Sequence, residues 1–237
     1  KESFLDEMDQ DGQTPLSLAI REEKYFVARL LLSHGADPKI GGGPFGSALH
    51  MVTSKHHVVM IKELLKHGAS PNTVDSEGNT PLHLLFSVFS KNVETSKEIA
   101  KVLMDAGADL NQMNNDLWTP LHMAIRRSQL ECVQWAVESN ARNKGKENKI
   151  FDINAEGGTD KWTPIHLASL QANYEIMDIL LENGAEMMNK TNTGKTPKDV
   201  VGNCQIAIKL LNKMEKRWVR NNLISSKKSS APGSEEG

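Results

Sequence analysis

Short apolar runs closing on paired leucines recur along the chain: Leu31-Leu32, Leu64-Leu65 and Leu180-Leu181. A break of small residues follows in a fixed phase: Gly35-Ala36, Gly68-Ala69, Gly107-Ala108 and Gly184-Ala185, with Asn140-Ala141 standing in one unit. Each run predicts a buried helix ended by a left-handed cap residue, glycine first and asparagine next in tolerance. Polar turns such as Asp75-Ser76-Glu77-Gly78-Asn79 come next. A second apolar segment then opens on one phrase. It reads Thr-Pro-Leu-His-Met-Ala from Thr119 to Ala124, Ser-Ala-Leu-His at Ser47–His50, Thr-Pro-Leu-His at Thr80–His83 and Thr-Pro-Ile-His at Thr163–His166. Thr14-Pro15-Leu16-Ser17 and Thr196-Pro197-Lys198-Asp199 are weaker copies. Threonine is a good N-cap, proline is tolerated in the first helical turn, and the Leu or Ile that follows is the first core residue. Each phrase therefore starts a helix, and each unit reads helix, turn, helix, polar loop.

The phrases begin at residues 14, 47, 80, 119, 163 and 196, at steps of 33, 33, 39, 44 and 33. A period of this length is the mark of a helical solenoid, in which no unit buries its apolar face alone and stacking makes the core. With these residues the chain resembles the ankyrin repeat family over about residues 2–219. The resemblance implies an all-α fold: a solenoid of helix-turn-helix units joined by β-hairpin-like loops, about twelve helices in six pairs. It also implies that His50, His83, His122 and His166 make local hydrogen bonds that tie their units together. One histidine per repeat, tens of residues apart, is unlike the close spacing of a metal site. No cofactor is expected.

On this reading residues 14–220 form the repeat domain, 221–237 a Ser/Lys/Gly tail or linker, and 1–13 the hairpin of a preceding repeat. Glu2 lies twelve residues before Thr14, the glycine-to-threonine spacing of other units, and Lys1 is not Met. Two origins are open: a piece of a longer chain, or an irregular start after processing. The second helix of the first unit, about Tyr25 to Ser33, is apolar enough to pack against the second unit. Unit three carries six extra residues within Leu85–Ser96, extending both helices or their junction. Unit four shows 23 residues from Asn140 to Thr163, against 12 elsewhere, which predicts an expanded, mobile hairpin within Arg142–Asp160. Such an insertion is either a binding element or a tolerated surface excursion. In the last unit a helix over about 205–219 has its apolar residues on one side and a polar outer face, as a terminal cap requires.

Composition narrows the function. The net charge is −2, so no global field draws the chain to nucleic acid. Of its two cysteines, Cys132 and Cys204 fall in different units, reading as small buried residues in a reducing compartment. No apolar run is long enough to span a membrane and no signal peptide opens the chain, so a cytoplasmic or nuclear location is expected. No phosphate-binding loop, dinucleotide fingerprint or nucleophile elbow occurs; Gly41–Gly46 lacks the Lys-Ser/Thr such a loop needs. The adjacent His56-His57 point in different directions on a helix and do not share a metal. These readings predict no enzyme.

What remains is surface. Trp118 and Trp162 each precede a helix-opening threonine. The resemblance puts that position at the hairpin base on the concave side, where partners are contacted. Arg126 and Arg127 end the first helix of unit four beside the same groove, and Phe45 stands at a glycine-rich loop tip. Tryptophan and arginine are over-represented in binding hot spots. Two readings stand for the tryptophans, partner contact or packing on the neighbouring hairpin, and likewise Phe45 is exposed or folded back. The stretch Lys209–Lys228 has a net charge of +6 and suits an acidic lipid or partner, or a solvated cap. The sequence thus predicts a scaffold or adaptor binding another protein, or a regulatory segment of a larger enzyme or ion channel.

Overall fold

The computed structural model describes residues 4–43, 46–142, 151–201, 208, 209, 211–217, 219 and 220. Its helices are α1 (Pro15–Arg21), α2 (Tyr25–Ser33), α3 (Ala48–Ser54), α4 (Val58–Lys66), α5 (Pro81–Ser87), α6 (Val93–Asp105), α7 (Pro120–Arg126), α8 (Leu130–Arg142), α9 (Pro164–Leu170) and α10 (Tyr174–Glu182). A further helical run, α11, lies in 208–220. Short 3-10 turns cover Phe4–Asp6, Phe89–Lys91 and Asp199–Val201. Among the described residues no named strand occurs and no helix is long and apolar enough to cross a membrane.

Helices pair within units and stack in two rows. First helices form the row α1, α3, α5, α7, α9, and second helices the row α2, α4, α6, α8, α10. The first core residue of each phrase, Leu16, Leu49, Leu82, Leu121 and Ile165, is at most 2% exposed. The tight connection within a unit needs one left-handed residue. Glu23, His56, Ser128 and Ala172 supply it at φ of 52° to 57°, though none is glycine. His56 also reaches Ser96 Oγ at 3.1 Å, and His57 caps α4 by accepting from Met60 N. Gly35, Gly68, Gly107 and Gly184 end second helices at φ between 91° and 99°.

The loops carry a second order. Several close on one backbone bond, as from Asp75 N to Asn79 O at 3.0 Å and from Asn114 N to Trp118 O at 3.0 Å, and the loop before Thr163 closes on two, between Gly157 and Trp162. Asp9 N to Gln13 O, at 2.9 Å, repeats the single bond before the first unit. Neighbouring loops join through Asn115 N to Glu77 O, Gly158 N to Leu117 O and Asn192 N to Asp160 O. Asparagine side chains clamp successive units: Asn72 donates to Gly107 O and accepts from Asp109 N, and Asn154 does the same with Gly184 O and Glu186 N.

Four expectations change in detail. In unit three the first helix keeps seven residues; the insertion makes the 3-10 turn Phe89–Lys91 and lengthens α6 to 13 residues. Phe89 is fully buried, edge-on to Phe86 and 5.7 Å from Trp135, so this insert is core. In unit four Asn140 is not a left-handed cap. It stays helical, because nothing there takes positive φ, and α8 runs on to Arg142. Asp152 N bonds Asn111 as Asp109 N bonds Asn72, so Phe151 takes the place of Ala108. Thr163 then follows Phe151 by 12 residues, against 11 from Ala108 to Thr119. The hairpin is near normal length and the extra residues precede it; Asn143–Ile150, where mobility was expected, lie outside the described residues. In unit six the described residues directly after Thr196 form the 3-10 turn Asp199–Val201 and no α-helix, where Lys198 and Asp199 replace the apolar residue and histidine that anchor the others. In unit one α2 buries Ala28 and Leu32 but leaves Phe26 80% and Val27 44% exposed, where no preceding unit packs on it among the described residues.

The stack makes a stability prediction. Leu121→Ala in the middle of the first-helix row removes a buried side chain that neighbours on both sides enclose. Urea unfolding should show a loss of about 2–5 kcal/mol. An unchanged midpoint would mean that Leu121 is not a core residue.

Candidate functional site

The site is built on the four buried histidines. In each, Nδ1 accepts from the backbone N–H of the capping residue three positions earlier: Ser47, Thr80, Thr119 and Thr163, at 3.1 to 3.3 Å. The capping hydroxyl lies 2.7 to 2.8 Å from the same nitrogen. Histidine thus takes the part glutamate plays in a capping box. The other nitrogen faces the next unit. Nε2 of His50 lies 2.8 Å from Asn79 O, that of His83 2.9 Å from Trp118 O, that of His122 3.1 Å from Trp162 O, and that of His166 3.1 Å from Lys195 O. A carbonyl only accepts, so Nε2 carries the proton and the ring is neutral. The bonds therefore reach beyond the local tie the resemblance implied. Each ring joins the helix start of its own unit to the residue just before the next helix start.

Burial pushes all four rings below the ordinary histidine range, and His122 down to about 4. The carbonyl acceptors oppose that shift without overcoming it. A second proton would sit on Nδ1 and face a backbone N–H that needs an acceptor.

Two of the four carbonyls belong to Trp118 and Trp162, so the main chain of each tryptophan is held from the unit before it. Their rings turn outward and are half-buried. Trp118 lies 5.2 Å from the His122 ring, and Trp162 6.0 Å from that of His166. Trp118 rests on the next hairpin: a Cβ on Gly157 or Gly158 would come within 2.8 Å of its indole. Only glycine allows this approach. Trp118, Trp162, Thr159, Asp160, Leu167 and Leu170 line a cleft of about 230 Å³. Leu170 is 55% exposed at its rim. The Arg126 guanidinium stands 5.4 Å over the Trp118 ring, a cation–π contact. Among the described residues no carboxylate pairs with Arg126.

The structure thus brings Trp118, Trp162 and Arg126 together. Arg127 does not join them: it is the exposed C-cap of α7, its carbonyl accepting from Gln129. Phe45 lies outside the described residues. The glycines at that loop are structural, since a Cβ on Gly42 would overlap the Gly46 carbonyl. One neighbour escaped sequence reasoning. Leu117 is 46% exposed and holds φ 62° at the position where Gly12, Gly78 and Gly194 stand in other hairpins. That shared phase was the available signal. Cys132 is fully buried, its thiol pushed up by desolvation, and Cys204 lies outside the described residues.

These features define a class: a helical repeat solenoid with a tryptophan cleft between its hairpin row and its first helices. The sequence pattern described as Ankyrin repeats (3 copies) matches residues 42–114 and 85–191, and that described as Ankyrin repeat matches 11–42. The chain belongs to the ankyrin repeat family. It is similar to ankyrin repeat and SOCS box protein 16 of Homo sapiens, 34% identical over 116 residues, 48% of this chain and 24% of that protein. It is also similar to Rabankyrin-5 of Homo sapiens, 32% identical over 127 residues, 51% of this chain and 11% of that protein. A third relative is transient receptor potential cation channel subfamily A member 1 of Homo sapiens, 25% identical over 174 residues, 58% of this chain and 16% of that protein. The chain spans no more than about a quarter of the length of each.

Two predictions follow from the geometry. The folded pKa of each relay histidine lies below its unfolded value of 6.5, so on acidification the unfolded chain takes the proton first. Stability is complete above pH 6.5 and falls as pH drops towards 4, with His122 alone accounting for about 3 kcal/mol. Urea midpoints measured at pH 7 and pH 5 check this; a higher midpoint at pH 5 would contradict it. Leu117→Gly relieves a left-handed leucine, worth about 1–2 kcal/mol, against a smaller loss from a more flexible unfolded chain. The melting temperature should rise slightly, and a clear fall would show that the Leu117 side chain is packed.

Proposed function

We propose that this chain is a non-catalytic binding module that seats a partner protein on the cleft of Trp118 and Trp162, in keeping with the protein–protein interaction that ankyrin repeats generally mediate. One observation supports the reading above others. An apolar cleft with two tryptophan walls, an exposed leucine at its rim and, beside it, an arginine that no carboxylate among the described residues holds is left open on a rigid scaffold. That combination suits an anchor side chain of a partner with an acidic neighbour to meet Arg126. The main chain under both rings is fixed in advance, which lowers the cost of ordering on binding. In a scaffold or adaptor role the module acts inside the cytoplasm or nucleus. A second reading places it as a regulatory segment of a larger protein, an enzyme or an ion channel. The matches to much longer proteins, one named as a cation channel, favour it.

A displayed peptide library selected on the wild-type chain tests the cleft. Chosen peptides should bind at least about tenfold more weakly to Trp118→Ala/Trp162→Ala. Leu170→Glu, at an exposed rim position, should weaken them similarly while leaving the melting temperature nearly unchanged. Equal binding by a folded Leu170→Glu variant would remove the cleft from the interface.

A further inference from the structure

Beside the last described helix pair, α11 brings a row of cations up to α10. Lys213, Lys216, Arg217 and Arg220 stand at i, i+3, i+4 and i+7, which places them on one helical face. With Tyr174, Asp178 and Met214 they line a cleft of about 500 Å³, within the size range of small-molecule sites. The charges in and around it are unequal. Arg217 binds Asp178 at 3.5 Å and also Glu182, so one arginine takes two of the three carboxylates of α10, Glu175 being the third. Glu215 pairs with Lys198 at 3.5 Å. Among the described residues no carboxylate pairs with Lys213, Lys216 or Arg220. Like charges three and four residues apart on a helix repel one another. Here they do so around a concavity whose floor is the buried Met214 and whose far wall is the half-buried Tyr174 ring.

We propose that this cleft binds a phosphate-bearing ligand. Lys213, Lys216 and Arg220 hold the phosphate, and Tyr174 and Met214 carry its organic body. Phosphate fits better than carboxylate for two reasons. Its charge approaches −2 near neutral pH and it offers three acceptor oxygens, matching three cationic side chains that line one cleft. Arg217, held by two carboxylates, fixes the spacing of α11 against α10 and keeps Asp178 from repelling the anion. The same chemistry serves a free phosphate compound or a lipid headgroup. The site is separate from the tryptophan cleft and does not depend on what binds there.

The test uses the whole chain and two probes. One is inorganic pyrophosphate, followed by backbone amide shifts in nuclear magnetic resonance. The other is vesicles of phosphatidylcholine with one part in five phosphatidic acid, against phosphatidylcholine alone, followed by co-sedimentation. Variants are Lys213→Gln/Arg220→Gln and the charge reversal Lys213→Glu/Arg220→Glu, each checked for helix content. Binding of pyrophosphate, with shifts at Tyr174 and Lys213 and at least about tenfold weakening in the neutral variant, supports the site and a soluble ligand. Sedimentation with acidic vesicles alone, lost in the same variant, supports it with a headgroup as source. Both should weaken as salt rises. The proposal is overturned if neither probe binds, if the folded variants bind as well as wild type, or if an acidic peptide binds while both phosphate probes fail.

Discussion

A buried neutral imidazole, hydrogen-bonded on both sides, joins each of units two to five to the unit that follows it. Helix stacking alone specifies that apolar faces meet, not how far one unit turns or slides on its neighbour. The ring adds direction. Its Nδ1 is fixed by the backbone N–H at a helix start, so its Nε2–H points at one place in the following unit, a carbonyl just before the next helix start. A buried carbonyl without a donor is costly, so a slipped register loses two satisfied groups at once. The clamps through Asn72 and Asn154 repeat the device at the hairpin edge.

The candidate sites grow from this scaffold at opposite ends of the same logic. Where the relay ends on Trp118 and Trp162, the fixed main chain turns two large rings to the surface above glycines that let one lie flat. Their spacing is therefore the spacing of the repeat. Where the relay stops, at unit six, the histidine is absent and the described residues directly after Thr196 form only the 3-10 turn Asp199–Val201. There α11 packs on α10 through ion pairs and Met214 instead, and it leaves a polar, cation-rich cleft. Regular hydrogen bonding makes the aromatic surface, and its interruption makes the charged one.

Much of this was legible in the residues. Phrase spacing set the helix starts, and Thr119, Pro120 and Leu121 each do the local work their types suggest. The pairing of Trp118 with Trp162 and the reach of Arg126 also followed from phase. The failures share a cause. Asn140 matched a marker by position, but a left-handed cap forms only where the chain takes positive φ, and α8 runs on through Asn140 despite its low helix propensity. The burial of Phe89 within the Leu85–Ser96 insertion had no signal in the sequence, because its contact with Trp135 crosses to the next unit and leaves no periodic trace. Leu117 hides a conformation usually reserved for glycine, and Arg217 lies among lysines with nothing in the local sequence to show that two carboxylates of α10 hold it.

The claim that the units are registered by this relay rests on the proton position of four rings. Nitrogen-15 spectra that correlate ring nitrogens with ring protons report tautomer and charge directly. At pH 7 the account predicts that His50, His83, His122 and His166 are neutral with the proton on Nε2, and that those protons exchange slowly with water. Rings bearing the proton on Nδ1, or averaging between tautomers as a solvated histidine does, would contradict it.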